Sequence, residues 1–136
     1  MLDKDMTLEE VREFFGHDLF ATQACGCEVL EAAPGHAVCA FTIGPQHRNA
    51  QGNVMGGAIF TLADFAFAVA SNNVHRPTVG QQICINFLSG TRGARLIARA
   101  RCRKDGRTTC VYNVDVVDDQ GRDIAQFTGT GHKLQN

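Results

Sequence analysis

The sequence has no excess of charge of either sign. Its 13 Lys and Arg stand against 14 Asp and Glu, a formal net charge of −1, and the two signs are mixed along the chain. That balance excludes the basic footprint with which proteins hold nucleic acid or an anionic membrane surface, and leaves small molecules or further protein subunits as partners. There is no clean spanning segment either. The longest apolar stretch, Val54 to Ala70, is interrupted by Asp64 and falls short of the roughly 18 to 20 apolar residues that cross a bilayer. The start, Met1-Leu2-Asp3-Lys4-Asp5, is acidic and lacks the apolar core of a secretory signal. A soluble, cytoplasmic protein is expected. No GxSxG elbow, Cys-His signature or phosphate-binding Walker loop is present, which removes the commonest nucleophile and nucleotide chemistries.

Six cysteines, at 25, 27, 39, 84, 102 and 110, form no CxxC pair and have no His cluster beside them, so neither a metal nor a cofactor is implied. A chain of 136 residues with 44% hydrophobic content buries a core without disulfides. The thiols sit in apolar or alternating runs and are expected reduced, as small core hydrophobes. That length is one ordinary domain, 1–136.

Thr7-Leu8-Glu9-Glu10 is a capping box, followed by Val11, Phe14 and Phe15 at helical spacing, which predicts a short helix over about 7–15 ended by Gly16. Residues 25–33 and 36–43 have strand character and are joined by Pro34-Gly35, a hairpin. A polar loop follows over 44–53. From Gly56 to Asn73 almost every side of a helix would be apolar, and such a helix is a buried one. After Pro77 four strands are predicted, over 79–88, 94–104, 108–117 and 123–132, with Asp105-Gly106 and Asp118-Asp119-Gln120-Gly121 supplying turns. An α+β fold satisfies this order, with one curved antiparallel sheet wrapped around the long helix, since no other element can cover it.

Asp64 is the one charged residue between Arg48 and His75. A carboxylate in so apolar a segment costs several kcal/mol unless something compensates it, and Asp is a poor helix-interior residue. A backbone-bonding or solvent-pointing Asp is the ordinary alternative; at this position the side chain is expected under the sheet. Gly57 lies seven residues, about two turns, before Asp64 and so shares its face. The first turn of a helix offers unpaired N–H groups and the positive end of the dipole, where glycine lets a ligand come close. A thioester carbonyl fits there, and so does the oxyanion formed on its attack. Gly56-Gly57 would otherwise be a turn or a close packing point. Asn49 has an amide able to donate to a carbonyl or orient a water, though taken singly it reads as a turn residue. His47 and His75 each lie beside an Arg in polar sequence and read as solvated.

Asn49-x2-Gly52-x2-Met55-Gly56-Gly57-x6-Asp64, with Leu62-Ala63-Asp64 inside it, resembles the active-site segment of the PaaI-like hotdog thioesterases, the phenylacetate-degradation type. Ile85-Asn86-Phe87-Leu88 and the closing strand at Gly129 to His132 also look like that family, so the resemblance covers the chain from about Phe15 onward. It implies a hotdog protomer that dimerises, often into a dimer of dimers (a homotetramer), and hydrolyses acyl-CoA with no cofactor. It implies Asp64 as general base or nucleophile, Gly57 and its neighbour Gly56 as oxyanion donors, and Asn49 as the group placing the thioester or the water, with Asn49 and Asp64 of one site coming from different subunits. Met55 stands where the family has His, and Phe65 where many members have a small polar residue. The family's strand Ser or Thr falls at Gly80 or Gln81, so that Gln81 and Gln82 are candidates to position water, and Met55, Phe65, Gln81 and Gln82 join Gly56 as substrate contacts. The altered set keeps a non-catalytic acyl-CoA-binding protein as the alternative; a hydratase, which needs a His paired with an acid, fits less well. Arg92, Arg95 and Arg101 read as solvated strand residues.

Overall fold

A computed structural model describes residues 6–135; the acidic start at 1–5 lies outside the described residues. Helix α1 (Leu8–Phe15) begins at the expected capping box, with Thr7 Oγ1 accepting from the Glu10 amide at 3.2 Å and the Glu10 carboxylate accepting from the Thr7 amide at 3.1 Å. Strands β1 (Glu28–Ala33) and β2 (His36–Thr42) form the hairpin. Gly35, at φ 78°, supplies the left-handed residue that the Pro34-Gly35 turn requires. Helix α2 (Gly56–Asn72) is followed by β3 (Thr78–Phe87), β4 (Arg95–Asp105), β5 (Thr109–Asp118) and β6 (Asp123–Lys133).

One expectation fails at the front of the chain. Residues 25–27 are not the start of a strand. The chain coils through a π-helical turn, Phe20–Ala24, in which the Cys25 amide donates to Phe20 O at 3.0 Å, and only after Gly26, at φ 71°, does it extend into β1. The Cys-Gly-Cys alternation imitates a strand, whereas Thr22 pulls the backbone round. Its amide donates to Asp18 O (2.9 Å), and its hydroxyl to Asp18 O (3.0 Å) and Gly16 O (3.2 Å).

The sheet is antiparallel throughout, in the order β1-β2-β4-β5-β6-β3. α2 touches all six strands, the hotdog arrangement. Leu62, Ala63, Ala66, Val69 and Ala70 are fully enclosed, and a buried leucine alone contributes about 1.5 to 3 kcal/mol. The helix is nevertheless not covered all round. Gly57, Thr61, Asp64 and Ala68, at spacings of four and three, make a less buried stripe on the side away from the sheet. The two ends of the sheet also differ. β1 is shielded by α1, while β3 leaves Val79 and Phe87, and Leu88 just beyond it, exposed on an unpaired edge. All six cysteines are free thiols; four are buried, but Cys84 lies exposed on β3 and is no core hydrophobe.

Candidate active site

The mouth of α2 is built by its preceding loop. Pro45–His47 forms a 3-10 turn, and His47, expected in solvent, is 2% exposed. Its ring stacks on Phe41 with centroids 3.9 Å apart. Nδ1 accepts from the Gly44 amide at 2.9 Å, which assigns the proton to Nε2, and Nε2–H donates to Cys25 O at 2.7 Å. The His47 carbonyl in turn accepts from the Met55 amide at 2.9 Å. This imidazole therefore ties the loop to the residue after the π-turn and to the cap of α2. A polar neighbour, Arg48, hides that role in the sequence. His75 is also no free loop residue, since its Nε2 lies 2.8 Å from Leu134 O.

Met55 caps α2 without a side-chain bond and is itself exposed. Its carbonyl accepts from the Ala58 and Ile59 amides. Among the described residues the amides of Gly56 and Gly57 have no acceptor, as expected at a helix start. The two glycines differ in space. A Cβ on Gly56 would come within 3.0 Å of the Phe87 ring, whereas one on Gly57 would meet nothing closer than Met55 Cε at 4.0 Å. Gly56 is thus a close-packing glycine, and Gly57 is the open one. A cleft of about 510 Å³ lies at this mouth, lined by Arg48, Asn53, Gly56, Ile59, Phe87 and Leu88 among others. Asn49 behaves partly as a turn residue: its Oδ1 accepts from the Gln51 and Asn53 amides at 3.0 and 3.1 Å. Its Nδ2 has no acceptor among the described residues and is left to donate outward.

Asp64 opens into a second cleft of about 440 Å³, with Asp18, Leu19, Phe20, Phe60 and Phe65 in its walls. It does not sit under the sheet as expected, because its place on the stripe turns it to the opposite side of α2. It is half-buried, and among the described residues nothing donates a hydrogen bond to it. Burial pushes its carboxyl up from the ordinary aspartate value, and the charge of Asp18 pushes the same way. Phe65 is buried, and its ring meets Phe15 edge-on at 6.3 Å. Gln81 and Gln82 are exposed on β3 at the bulge between Gly80 and Gln82, and neither lines the Asp64 cleft within this chain. Arg95 and Arg101 pair with Glu28 and Asp115, each at 3.0 Å.

One distance in this layout decides what a single chain can do. Seven residues of α-helix rise about 10 Å, so the Gly57 amide and the Asp64 carboxylate of one helix are too far apart to serve one carbonyl. The shared face therefore does not make a complete site within one chain. Among the described residues no cluster is able to hold a metal ion and no helix is long and apolar enough to cross a membrane.

Residues 51–125 match the thioesterase superfamily model. The chain is 33% identical over 123 residues to the acyl-coenzyme A thioesterase PaaI of Escherichia coli K12, across 87% of this chain and 88% of that protein. The solved structure of the E. coli PaaI protein from the phenylacetic acid degradation operon superposes with a TM-score of 0.83 at 29% identity, covering 96% of this chain and 98% of that one. A hypothetical thioesterase protein with coenzyme A from Streptococcus pneumoniae TIGR4 gives a TM-score of 0.82 at 27% identity over 90% and 98% of the two chains. A model match over more than half of its length and 33% identity to a relative covered almost end to end show that this chain belongs to the thioesterase superfamily.

Proposed function

We propose that the protein hydrolyses acyl-coenzyme A to the free acid and coenzyme A, working as a homodimer whose two sites each combine Asp64 of one subunit with the helix mouth of the other. The observation that carries this reading is the Asp64 carboxylate itself: raised by burial, open to a cleft, and bonded to no donor among the described residues. A structural aspartate would be satisfied by amides; this one is left for a substrate or a water. The relatives named acyl-coenzyme A thioesterase and the S. pneumoniae relative holding coenzyme A support the substrate class.

The chemistry follows from where the groups stand. Asp64 takes a proton from water as the oxygen attacks the thioester carbon, or attacks that carbon directly to give an anhydride that water opens. The carbonyl oxygen becomes negative beside the partner helix's free amides, with Gly57 accessible and Gly56 behind it; such donors lower the barrier by about 3 to 4 kcal/mol. When the C–S bond breaks, the thiolate leaves and takes up a proton. Asn49 donates from Nδ2 to the thioester or the water. Met55, Phe65 and the Gln81 and Gln82 amides of β3 are contacts of the assembled site. The edge position of β3 supports this assembly, since an unpaired edge needs covering and a second copy pairing there two-fold would cover both. Pairing of two such dimers gives the tetramer.

Thiol release measured over short, medium, long and aryl acyl-CoAs tests the proposal. Asp64→Asn and Asp64→Ala should lose about 10²-fold or more in turnover while the dimer persists by light scattering. A variant keeping most of the activity overturns the role of Asp64, and a wild-type protein that binds acyl-CoA without releasing thiol makes it a binding protein instead.

A further inference from the structure

The cleft that exposes Asp64 contains a second carboxylate, which the thioesterase reading does not use. We propose that Asp18 is a positioning residue of this active site, set at the rim of the Asp64 cleft by the π-turn, where its charge acts on Asp64 and sets the acid edge of the pH–rate profile. The inference rests on Asp64 carrying the reaction.

Three features of the structure support it. First, the backbone at Asp18 is held from both sides. Its amide donates to Phe15 O at 3.0 Å, and its carbonyl takes both the amide and the hydroxyl of Thr22. π-turns are rare and costly, and they recur at functional sites. This one begins at Phe20, directly after Asp18 and Leu19, and all three line the cleft. Leu19 and Phe20 are 55% and 69% exposed, apolar side chains held at the opening rather than in the core. Second, among the described residues no group donates a hydrogen bond to either carboxylate, with Asp18 exposed at the rim and Asp64 half-buried. Third, among the described residues no cation lines the cleft. Arg12, across Phe65 in the neighbouring cleft, is turned away: its Nε donates to Val29 O at 2.8 Å and its guanidinium faces Glu9.

The other titratable groups packed near α2 do not compete. Cys25 lies by the Thr61 hydroxyl, and burial raises its thiol. Cys27, Cys39, Cys110 and Tyr112 are buried in the core that the helix shares, and burial pushes all of them up, Cys27 to about 12. All are neutral at physiological pH. His17 borders a different cleft with Glu13, and Glu28 is held by Arg95. Among the described residues of its own chain, Asp18 is therefore the charge that Asp64 meets. Burial also raises the Asp18 carboxyl. A like charge close by disfavours ionisation and makes the ionised Asp64 a stronger base.

The test is the pH profile of kcat/KM for thiol release by the wild type, Asp18→Asn and Asp18→Glu. Asp18→Asn should move the acid limb to lower pH, so that its activity relative to wild type climbs as the pH falls. Asp18→Glu should keep the wild-type limb. An unmoved limb, with activity lowered by one factor at every pH, would mean a structural role and sinks the proposal. Should Asp18→Asn fail to fold, carboxyl 13C titration of the wild type decides: Asp64 should titrate above the usual aspartate range and respond as Asp18 titrates. An isolated, ordinary titration overturns the inference. Because that readout needs no turnover, it separates failure of Asp18 from failure of Asp64 as the working group.

Discussion

Asp64 and Asp118 are both drawn out of bulk water, and the fold treats them in opposite ways. Asp118, 1% exposed at the end of β5, accepts from the amides of Arg122 (2.9 Å), Gln120 and Arg92 (3.0 Å) and Gly93 (3.1 Å). Burial by itself would push its carboxyl up, but those amides hold it at about 2. It organises the β5–β6 turn and ties that turn to the 91–93 segment. Among the described residues Asp64 has no such donors, and its carboxyl is raised instead. Burial alone therefore does not mark a working carboxylate; the proposed role of Asp64 rests on the absence of internal donors among the described residues beside an open cleft. A satisfied aspartate stabilises the fold, whereas an unsatisfied one costs stability, the trade-off expected of a working site.

The contrast breaks most visibly at Asp64. Asp64→Asn should remove about 10² to 10⁴ of the turnover, yet melt higher than the wild type at neutral pH. The sign follows from linkage: a carboxyl raised on folding stabilises the native state below its unfolded value, and that contribution is lost as pH rises through the folded one. Thermal melts at several pH values beside the thiol assay check both halves. Asp118→Asn should do the reverse, losing about 2 to 3 kcal/mol in urea unfolding as charged acceptor bonds are lost, with turnover per folded molecule kept. Its depressed carboxyl contributes stability above about pH 4 that fades as pH falls toward 2. The melting difference between wild type and Asp118→Asn should therefore shrink in acid, and one that stays constant would break the comparison. Gly57→Ala is the smallest change. Room exists for its Cβ, so stability should hold or rise by about 0.5 to 1 kcal/mol, while turnover falls by less than the roughly 10²-fold that losing an oxyanion donor costs.

Much of this was legible in the residues. Each strand after Pro77 lies within a residue of its expected bounds, because alternation and the Asp-Gly type turns act locally. α2 was equally plain, since seventeen residues with one charge leave few alternatives. What escaped was set by tertiary contacts. The burial of His47 depends on Phe41 and Cys25, six and twenty-two residues away, and nothing beside it announces them. The π-turn depends on Thr22 bonding backward, which imposes no hydrophobic period. Asp64 read as a sheet-facing residue because sequence shows that a helix is apolar without showing which side the sheet leaves open. Asp18 carried no signal at all, being one acid in a polar connection. Its meaning comes from the cleft it enters.

The central claim is that one site is completed by two chains, Asp64 from one and the Gly57 mouth from the other. Mixed dimers test it directly, made by unfolding and refolding Asp64→Asn together with Gly57→Val, which blocks the mouth. Each variant alone should be nearly inactive, and the random mixture should recover about a quarter of wild-type thiol release, since half its dimers hold one intact site of two. A mixture no more active than its parents, although exchange of subunits is demonstrated, would contradict the account.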